Sequence, residues 1–167
     1  MEALKILSEE HKNILKVIDT LLKECDSLQS TNKINKDFFK KTINFIREYA
    51  DKFHHAKEED ILFVELCKEE VKMHCNPTKQ MLYEHDLGRD FVKRLEEGIE
   101  ENNKDKIMEN ARGYAHLLQE HISKEDNILY PMANEFLSQE VKDKMLEKFK
   151  QIEKNKKHLM LLKELEK

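Results

Sequence analysis

The sequence predicts an all-α protein, an up-down four-helix bundle with an additional C-terminal fifth helix. Hydrophobic residues make up 39% of the chain and charged residues 38%, with only three glycines and two prolines, a composition typical of long amphipathic helices. Hydrophobic residues recur every three or four positions almost from end to end, and no strand-like alternation competes with that period. We expect one domain over residues 1–167, since a chain of this length builds one core more readily than two.

Interruptions of the helical period divide the chain. The first helix carries an apolar stripe from Leu4 to Leu22 and gives way to a loop at 27–36, which is rich in Ser, Thr and Asn. A second helix begins near Asp37 and ends before Pro77, because proline disfavours helix at the preceding residue and suits the first turn of the next helix.

Two further helices complete the predicted bundle, which occupies about residues 1–136. The third has Leu82 on its stripe and ends near 101–105; the fourth has Ile128 on its stripe, and Pro131 should kink it near its end. Short loops imply antiparallel neighbours and hence the up-down order. The fifth helix, about 138–166, begins at Ser138, and we expect its stripe to pack on the core; this stripe contains Leu159, Leu162 and Leu165.

Charge and composition exclude several classes of protein. The net charge is −4 with the two signs interspersed, so the chain has no basic face for nucleic acid. No apolar run reaches the roughly 20 residues that span a bilayer, and the start of the chain lacks the features of a secretory signal. Three cysteines without CxxC spacing favour neither a disulfide framework nor a zinc knuckle. We expect a cytoplasmic protein that binds neither nucleic acid nor membrane; its oligomeric state is left open.

Histidines and glutamates on the apolar stripes predict a metal site. Each helix of the bundle turns one histidine inward, and two helices add a glutamate one turn later on the same face. These residues are His11, His54, Glu58, His85, His121 and Glu125. A lone inward histidine is usually a hydrogen-bonded core residue, but a glutamate is almost never buried unless it is paired or bound to a cation. Only Arg89 could bring a positive charge to these stripes. Imidazole with carboxylate suits iron, manganese or zinc better than calcium or magnesium.

An internal repeat supports the same site. The segment HHAKEEDILF, residues 54–63, aligns with HISKEDNILY, residues 121–130, and pairs His54 with His121 and Glu58 with Glu125. Two such half-sites could hold two metal ions bridged by the carboxylates.

The remaining histidines are predicted to lie outside the site. His55 falls on a mostly polar face beside the site, and of these four histidines it is the best placed to act as a ligand. His116 should be solvated. His74 lies in the loop before Pro77, and His158 lies in a lysine-rich stretch.

Four segments carry a resemblance to a known family. SEEHKNIL, FHHAKEEDILF, MLYEHDLGRDFV and EHISKEDNILYPMA resemble the hemerythrin-like (HHE cation-binding) domain family over about residues 1–136. The resemblance implies an up-down four-helix bundle around a non-haem centre of two iron ions, bridged by oxo or hydroxo groups. It implies the same ligands that the stripes single out, with Glu58 and Glu125 as the bridging carboxylates.

The sequence departs from the oxygen-carrying members at two positions. Those proteins have a second third-helix histidine one turn after the first, where this chain has Arg89, and an aspartate five residues after the fourth-helix histidine, which here would be Asp126. The stripe and the repeat favour Glu125, with Asp126 as the alternative. His55 or Tyr114 could replace the missing histidine, or the vacant position could admit a small ligand.

The resemblance implies a protein that binds, senses or detoxifies O₂, peroxide or nitric oxide. It favours a metal- and oxygen-binding protein over a dedicated enzyme and leaves peroxidase-like, catalase-like or NO-related activity open. The alternatives are iron donation for iron–sulfur cluster repair and a metal-free or zinc-bound interaction bundle. A ferritin-like enzyme is disfavoured, since its Glu-x-x-His pairs are missing before His54, His85, His116 and His121.

Overall fold

The structure, a computed structural model, describes residues 3–68, 71 and 77–153. These residues are arranged in five helices without a strand, which confirms the all-α prediction. The helices are α1 (Ala3–Thr31), α2 (residues 36–66), α3 (Thr78–Glu100), α4 (residues 104–136) and α5 (Gln139–Glu153). Within the described part of the chain, no helix is long and apolar enough to cross a bilayer.

Helix α1 is longer than the sequence predicts. The Ser- and Thr-rich segment expected to form a loop from residue 27 continues the helix to Thr31. Leu28 explains the difference, because its fully buried side chain extends the apolar stripe by one turn and offsets the weak helix preference of its neighbours. The loop that follows is short, and Asn35 caps the start of α2 by accepting a hydrogen bond from the Phe38 amide.

Helices α2 and α4 contain π-helical segments, and those at Glu58–Leu62 and Glu125–Leu129 occupy equivalent places in the repeat. In α2 the π-helical segments are Ile46–His55 and Glu58–Leu62, and in α4 the segment is Glu125–Leu129. A π-turn closes its hydrogen bonds over five residues rather than four, is rare, and is frequent at functional sites. The extra residue rotates the side chains that follow it.

Two side chains predicted on the apolar stripes are exposed instead. Ile128 is 52% exposed because the π-turn moves it off the stripe, and Leu129 and Tyr130 are buried instead. Leu82 is 38% exposed, and its neighbour Met81, four residues before His85, takes the core position. Pro131 lies two residues after Leu129, the last residue of the π-turn, in the first turn of the α-helical end of α4, where a missing amide hydrogen costs little. The break in regular α-helical geometry therefore lies just before the proline.

The core consists of two apolar clusters with a polar layer between them. The larger cluster contains Ile14, Leu95 and Leu118, and the smaller contains Leu7, Leu62 and Leu129. Along α1 to α4 the inward histidines and glutamates fall where one cluster gives way to the other. Helix α5 packs on the smaller cluster through Met145 and Phe149. The predicted stripe of Leu159, Leu162 and Leu165 lies outside the described residues.

Side-chain contacts show how α1 and α4 lie against each other. Ser8, near the start of α1, donates to Asp126 near the end of α4 at 2.7 Å, and Arg112, early in α4, reaches Asp26 late in α1 at 2.9 Å. The two helices therefore run in opposite directions. The described residues form a helical bundle whose polar layer is supplied by four of its helices.

Candidate metal centre

The six predicted site residues meet in the polar layer. Each of the four histidines is 1% exposed, and the two glutamates are fully buried. Their ligand atoms form two groups that share Glu58, and within each group the atoms lie within 4.8 Å of one another. The first group is His11, His54, Glu58 and Glu125, and the second is His55, Glu58, His85 and His121.

Each glutamate lies between two histidine Nε2 atoms. Glu125 Oε2 is 3.3 Å from Nε2 of His11, and Glu125 Oε1 is 3.2 Å from Nε2 of His121. Glu58 Oε2 is 3.6 Å from Nε2 of both His54 and His85. Two ligands of one ion at about 2.1 Å, separated by a right angle, lie about 3 Å apart. The spacing of these atoms therefore suits shared coordination.

Several inward atoms have no hydrogen-bond partner among the described residues. They are His54 Nε2, Glu58 Oε2 and both carboxylate oxygens of Glu125. Buried polar atoms in proteins are almost always satisfied, since leaving them unpaired is costly. A cation at this position would satisfy all of them at once, so the residues present fit a metal centre.

The pKa shifts in the polar layer also favour a bound cation. Burial, and then the charge of Glu125, raise the pKa of Glu58 well above its usual range. Burial opposes ionisation of Glu125 as well, but His121 and His11 outweigh it and hold the pKa of Glu125 well below its usual range. Burial lowers the pKa of His54. Two buried carboxylates this close cannot both ionise easily without added positive charge.

A carboxylate faces the outer nitrogen of each histidine. The Nδ1 atoms of His11, His54, His85 and His121 lie 3.0, 2.9, 2.7 and 2.8 Å from Asp126, Glu10, Glu59 and Glu84, respectively. A carboxylate on one ring nitrogen fixes the tautomer and aims the other nitrogen at the metal. Asp126 is thus one of the outer carboxylates. The inward acid of α4 is Glu125, as the repeat predicts.

A model of the hemerythrin HHE cation-binding domain family matches residues 2–133. The chain belongs to this family. Neither the curated proteins nor the solved structures contain a significant match to the chain. The family match and the two His/Glu groups agree on a domain that can hold metal cations.

A buried lysine of this hemerythrin domain contradicts the expectation that only Arg89 brings positive charge to the inward faces. Lys57 is fully buried, forms an ion pair with Glu10, and lies 3.7 Å from the centre of the Phe53 ring. Its counterpart in the repeat, Lys124, forms an ion pair with Glu84. The two lysines therefore anchor the outer carboxylates of His54 and His121. A lysine stands at the same place in both copies of the repeat, and this recurrence is the feature of the sequence that indicates a shared role.

His55 of this hemerythrin domain lies in the polar layer, not on a polar flank. It is 6% exposed and stacks on His85 with ring centroids 3.7 Å apart at an interplanar angle of 12°. Adjacent residues of an α-helix point about 100° apart, but the π-helical segment Ile46–His55 narrows that angle and turns both His54 and His55 inward. Asp51 lies 3.5 Å from its Nδ1 atom.

Arg89 stands at the rim of the site. Its guanidinium is bonded to Asp51 at 2.7 Å and to Glu59 at 2.6 Å, and its side chain is 38% exposed. Arg89 therefore braces the outer carboxylates of His55 and His85 and contributes no atom to either ligand group. Tyr114 is buried, and its hydroxyl has no hydrogen-bond partner among the described residues. His116 is exposed, as predicted, and His74 and His158 lie outside the described residues.

Sequence reasoning missed Tyr130. Its hydroxyl donates to Oε1 of Glu58 at 2.5 Å and lies 3.3 Å from Nε2 of His11, and its ring stacks on the His11 ring with centroids 5.5 Å apart. Tyr130 follows Glu125 by five residues, the spacing of the π-turn between them, so a regular helical stripe does not include it. Each copy of the repeat ends in an aromatic residue, and this recurrence could have drawn attention to Tyr130. The corresponding residue of the first copy, Phe63, has no hydroxyl.

Proposed function

We propose that this hemerythrin domain holds a centre of two iron ions and binds, senses or detoxifies O₂, peroxide or nitric oxide there. The observation that supports it is a set of inward atoms without hydrogen-bond partners among the described residues: Nε2 of His54, Oε2 of Glu58 and both carboxylate oxygens of Glu125. Imidazole and carboxylate together are donors that iron accepts. The proposed ligands are the five histidines and two glutamates of the two groups: His11, His54, His55, His85, His121, Glu58 and Glu125.

The two ligand groups suggest how the ions are shared. His11 and His54 would hold one ion, and His55, His85 and His121 would hold the other. Glu125 directs one oxygen at His11 and the other at His121, so it would help to hold both ions. Glu58 belongs to both groups and would be shared in the same way. His55 would supply a third histidine to the second ion. It would replace the third-helix histidine that the oxygen-carrying members have where this chain has Arg89.

Iron bound here would supply the electrons that reactions of O₂, peroxide or nitric oxide require. The chain contributes orientation, exclusion of water and control of a proton. The outer carboxylates hold the histidine rings in place, and the apolar clusters on both sides keep the layer dry. The Tyr130 hydroxyl donates a hydrogen bond to Oε1 of Glu58, which holds a proton at that oxygen and fixes the carboxylate.

We also propose that α1 to α4 form an up-down four-helix bundle, with α5 packed against it as part of one domain over residues 1–167. The opposed directions of α1 and α4 support this order. So do the contacts between α2 and α3, in which Arg47 reaches Glu96 and His85 reaches Glu59.

Optical spectroscopy tests the proposed function. The protein is loaded anaerobically with ferrous iron and then exposed separately to O₂, to hydrogen peroxide and to a nitric oxide donor. We expect ferric bands in the near ultraviolet with the oxidants and a distinct visible spectrum with nitric oxide. A Glu58→Ala, Glu125→Ala double variant serves as the control and should show neither. A wild-type spectrum that responds to none of the three would contradict the proposal, and would favour a zinc-bound or metal-free bundle.

A further inference from the structure

Three side chains of α2 form a further group of potential metal ligands at the rim of the candidate centre. This rim group consists of Asp51, His55 and Glu59, which follow one another at intervals of four residues, and its ligand atoms lie within 4.8 Å of one another. The side chains of Asp51 and Glu59 are 29% and 25% exposed, whereas His55 is 6% exposed. The rim group therefore extends from the solvent to a buried ring of the polar layer.

The Nδ1 atom of His55 distinguishes the rim group from a cluster of surface acids. It is buried, lies 3.5 Å from Oδ1 of Asp51, and has no hydrogen-bond partner among the described residues. Buried polar atoms are almost always satisfied, and a cation at the rim would supply the partner. The second copy of the repeat has Leu118 and Ile122 at the places of Asp51 and His55, so the repeat does not reproduce the rim group in α4.

The charges around the rim group suit a divalent cation. Nη2 of Arg89 lies 2.7 Å from Oδ1 of Asp51 and 2.6 Å from Oε1 of Glu59, where a cation shared by these two oxygens would lie. Nη1 of the same guanidinium bonds Asp86, which is 76% exposed, at 2.8 Å. Three carboxylates thus share one guanidinium, and three negative charges against one positive charge leave −2 to be balanced. Arg89 can keep Asp86 as its partner when it leaves the other two.

A cavity of about 320 Å³ between α2, α3 and α4 leads from the rim group toward the candidate centre. Asp51, His55 and Arg89 line it at the rim. His85, a proposed ligand in the layer, belongs to the same lining. A water molecule takes up about 30 Å³ in the liquid, so the cavity has room for an ion that still carries several waters. It gives such an ion a path inward.

We propose that the rim group is an entry site, where a divalent transition-metal ion displaces Arg89 and binds before it passes into the polar layer. Imidazole with carboxylate suits such ions better than calcium or magnesium. A neutral imidazole offers one lone pair at a time, so His55 binds the entering ion through Nδ1. When its other ring nitrogen takes over the ion, the ring proton moves to Nδ1, where Asp51 accepts its hydrogen bond. The inference rests on the proposed function, because the layer is the destination of the ion.

Stopped-flow mixing of the metal-free full chain with Co²⁺, followed by the visible absorption of the bound ion, tests the inference. We expect Arg89→Met to take up cobalt about tenfold faster than wild type, since no guanidinium has to be displaced, and Asp51→Asn to take it up about tenfold more slowly. Arg47→Met is the matched control: it removes the same charge from the lining of the same cavity, where Arg47 pairs with Glu96, and should behave like wild type. If Arg89 served only to brace its partners, its loss would slow the uptake.

Equilibrium dialysis against Co²⁺ separates the entry site from the layer. The Glu58→Ala, Glu125→Ala double variant lacks the carboxylates of the layer but keeps the rim group. We expect it to bind one cobalt per chain, and to lose this ion when Asp51→Asn is added. Circular dichroism of each variant shows that the helices are intact.

The inference is overturned if Arg89→Met takes up cobalt no faster than wild type, if Arg47→Met speeds the uptake equally, or if the folded double variant binds no cobalt. Wild-type protein that carries two irons per chain, with an uptake that none of these substitutions alters, would overturn this inference alone. Wild-type protein that binds one cobalt at the rim and no more metal than the double variant would overturn the proposed function, while the cation site at the rim would stand.

Discussion

His55 and His85 stack face to face across α2 and α3, with ring centroids 3.7 Å apart. The Nδ1 atoms of the two rings face Asp51 and Glu59, at 3.5 and 2.7 Å, and Arg89 bonds both of these carboxylates. One arginine thus orders two outer carboxylates, and through them two stacked imidazoles. Arg89, which stands where the oxygen-carrying members have a histidine, therefore braces the carboxylate that faces His55, the histidine that we propose as its replacement.

Replacing His55 should cost the domain one metal ion. His55→Ala removes a ligand atom from the second group and leaves the first group intact. We expect elemental analysis to show a fall from two irons per chain toward one, with helix content by circular dichroism unchanged. His116→Ala is the matched control, since His116 is exposed and should keep both irons. Full iron content in His55→Ala would show that His55 is a stacking partner only.

Glu125 and Asp126 are adjacent acids that should behave differently. Glu125→Gln removes the charge of an inward carboxylate, so we expect it to lose bound iron. Asp126→Asn changes the partner of the His11 Nδ1 atom and of the Ser8 hydroxyl but no inward atom, and a change of that kind typically costs 10–100-fold in metal affinity. Iron titration of the two variants distinguishes these outcomes. Normal binding by Glu125→Gln together with loss of stoichiometry in Asp126→Asn would reverse the assignment.

Lys57 and Lys124 allow a matched test of burial. Each forms an ion pair with the outer carboxylate of a histidine, but Lys57 is fully buried whereas the side chain of Lys124 is 38% exposed. Breaking a buried pair from one side costs about 3–5 kcal/mol. Glu84 is itself only 5% exposed, but it keeps its hydrogen bond from Gln80 when Lys124 is replaced, and Lys124 already reaches solvent. Urea unfolding of the metal-free proteins should therefore show a much larger loss of free energy for Lys57→Met than for Lys124→Met. Equal losses would mean that burial does not set the strength of these pairs.

Metal binding should release protons. Burial works against a charge on His11, but Asp126 and Glu125 outweigh it and raise the pKa of His11 to about 9, from an ordinary value of 6.5. In the metal-free protein this protonation stabilises the fold fully below pH 6.5, and its contribution is lost as the pH rises from 6.5 to about 9. A metal must displace that proton, so its affinity should rise over the same interval.

Calorimetry in buffers of different ionisation enthalpy measures the number of protons released. We expect at least one proton per chain at neutral pH, and fewer from His11→Gln. Binding without proton release would contradict a cationic His11 in the metal-free protein.

Regular helical spacing accounts for what the sequence predicts well. His11, His54, His85 and His121 recur with their neighbours in periods that an α-helix maintains, and the repeat identifies Glu58 and Glu125 as a pair. The all-α fold and the start of α2 near Asp37 follow from the same periodicity and its interruptions.

The predictions that were wrong concern residues where the helical spacing changes. They also concern residues whose side-chain position depends on contacts between helices. The π-turns bring His55 and Tyr130 inward and Ile128 outward, and a periodicity argument that assumes regular helices places all three elsewhere. The pairing of Glu10 with His54 depends on how α1 lies against α2, which no local pattern encodes. Lys57 is buried because its ion pair with Glu10 and its contact with Phe53 together offset the cost of desolvation.

The metal content of the chain tests the proposed iron centre itself. Protein produced with ample iron and purified without a chelator is analysed for all transition metals, alongside a sample stripped with a strong chelator, and the melting temperature of each is recorded. The account predicts two irons per chain and a melting temperature that falls on stripping, because the bound metal neutralises the carboxylates of Glu58 and Glu125. A protein that carries no metal and melts at the same temperature before and after the chelator would contradict it.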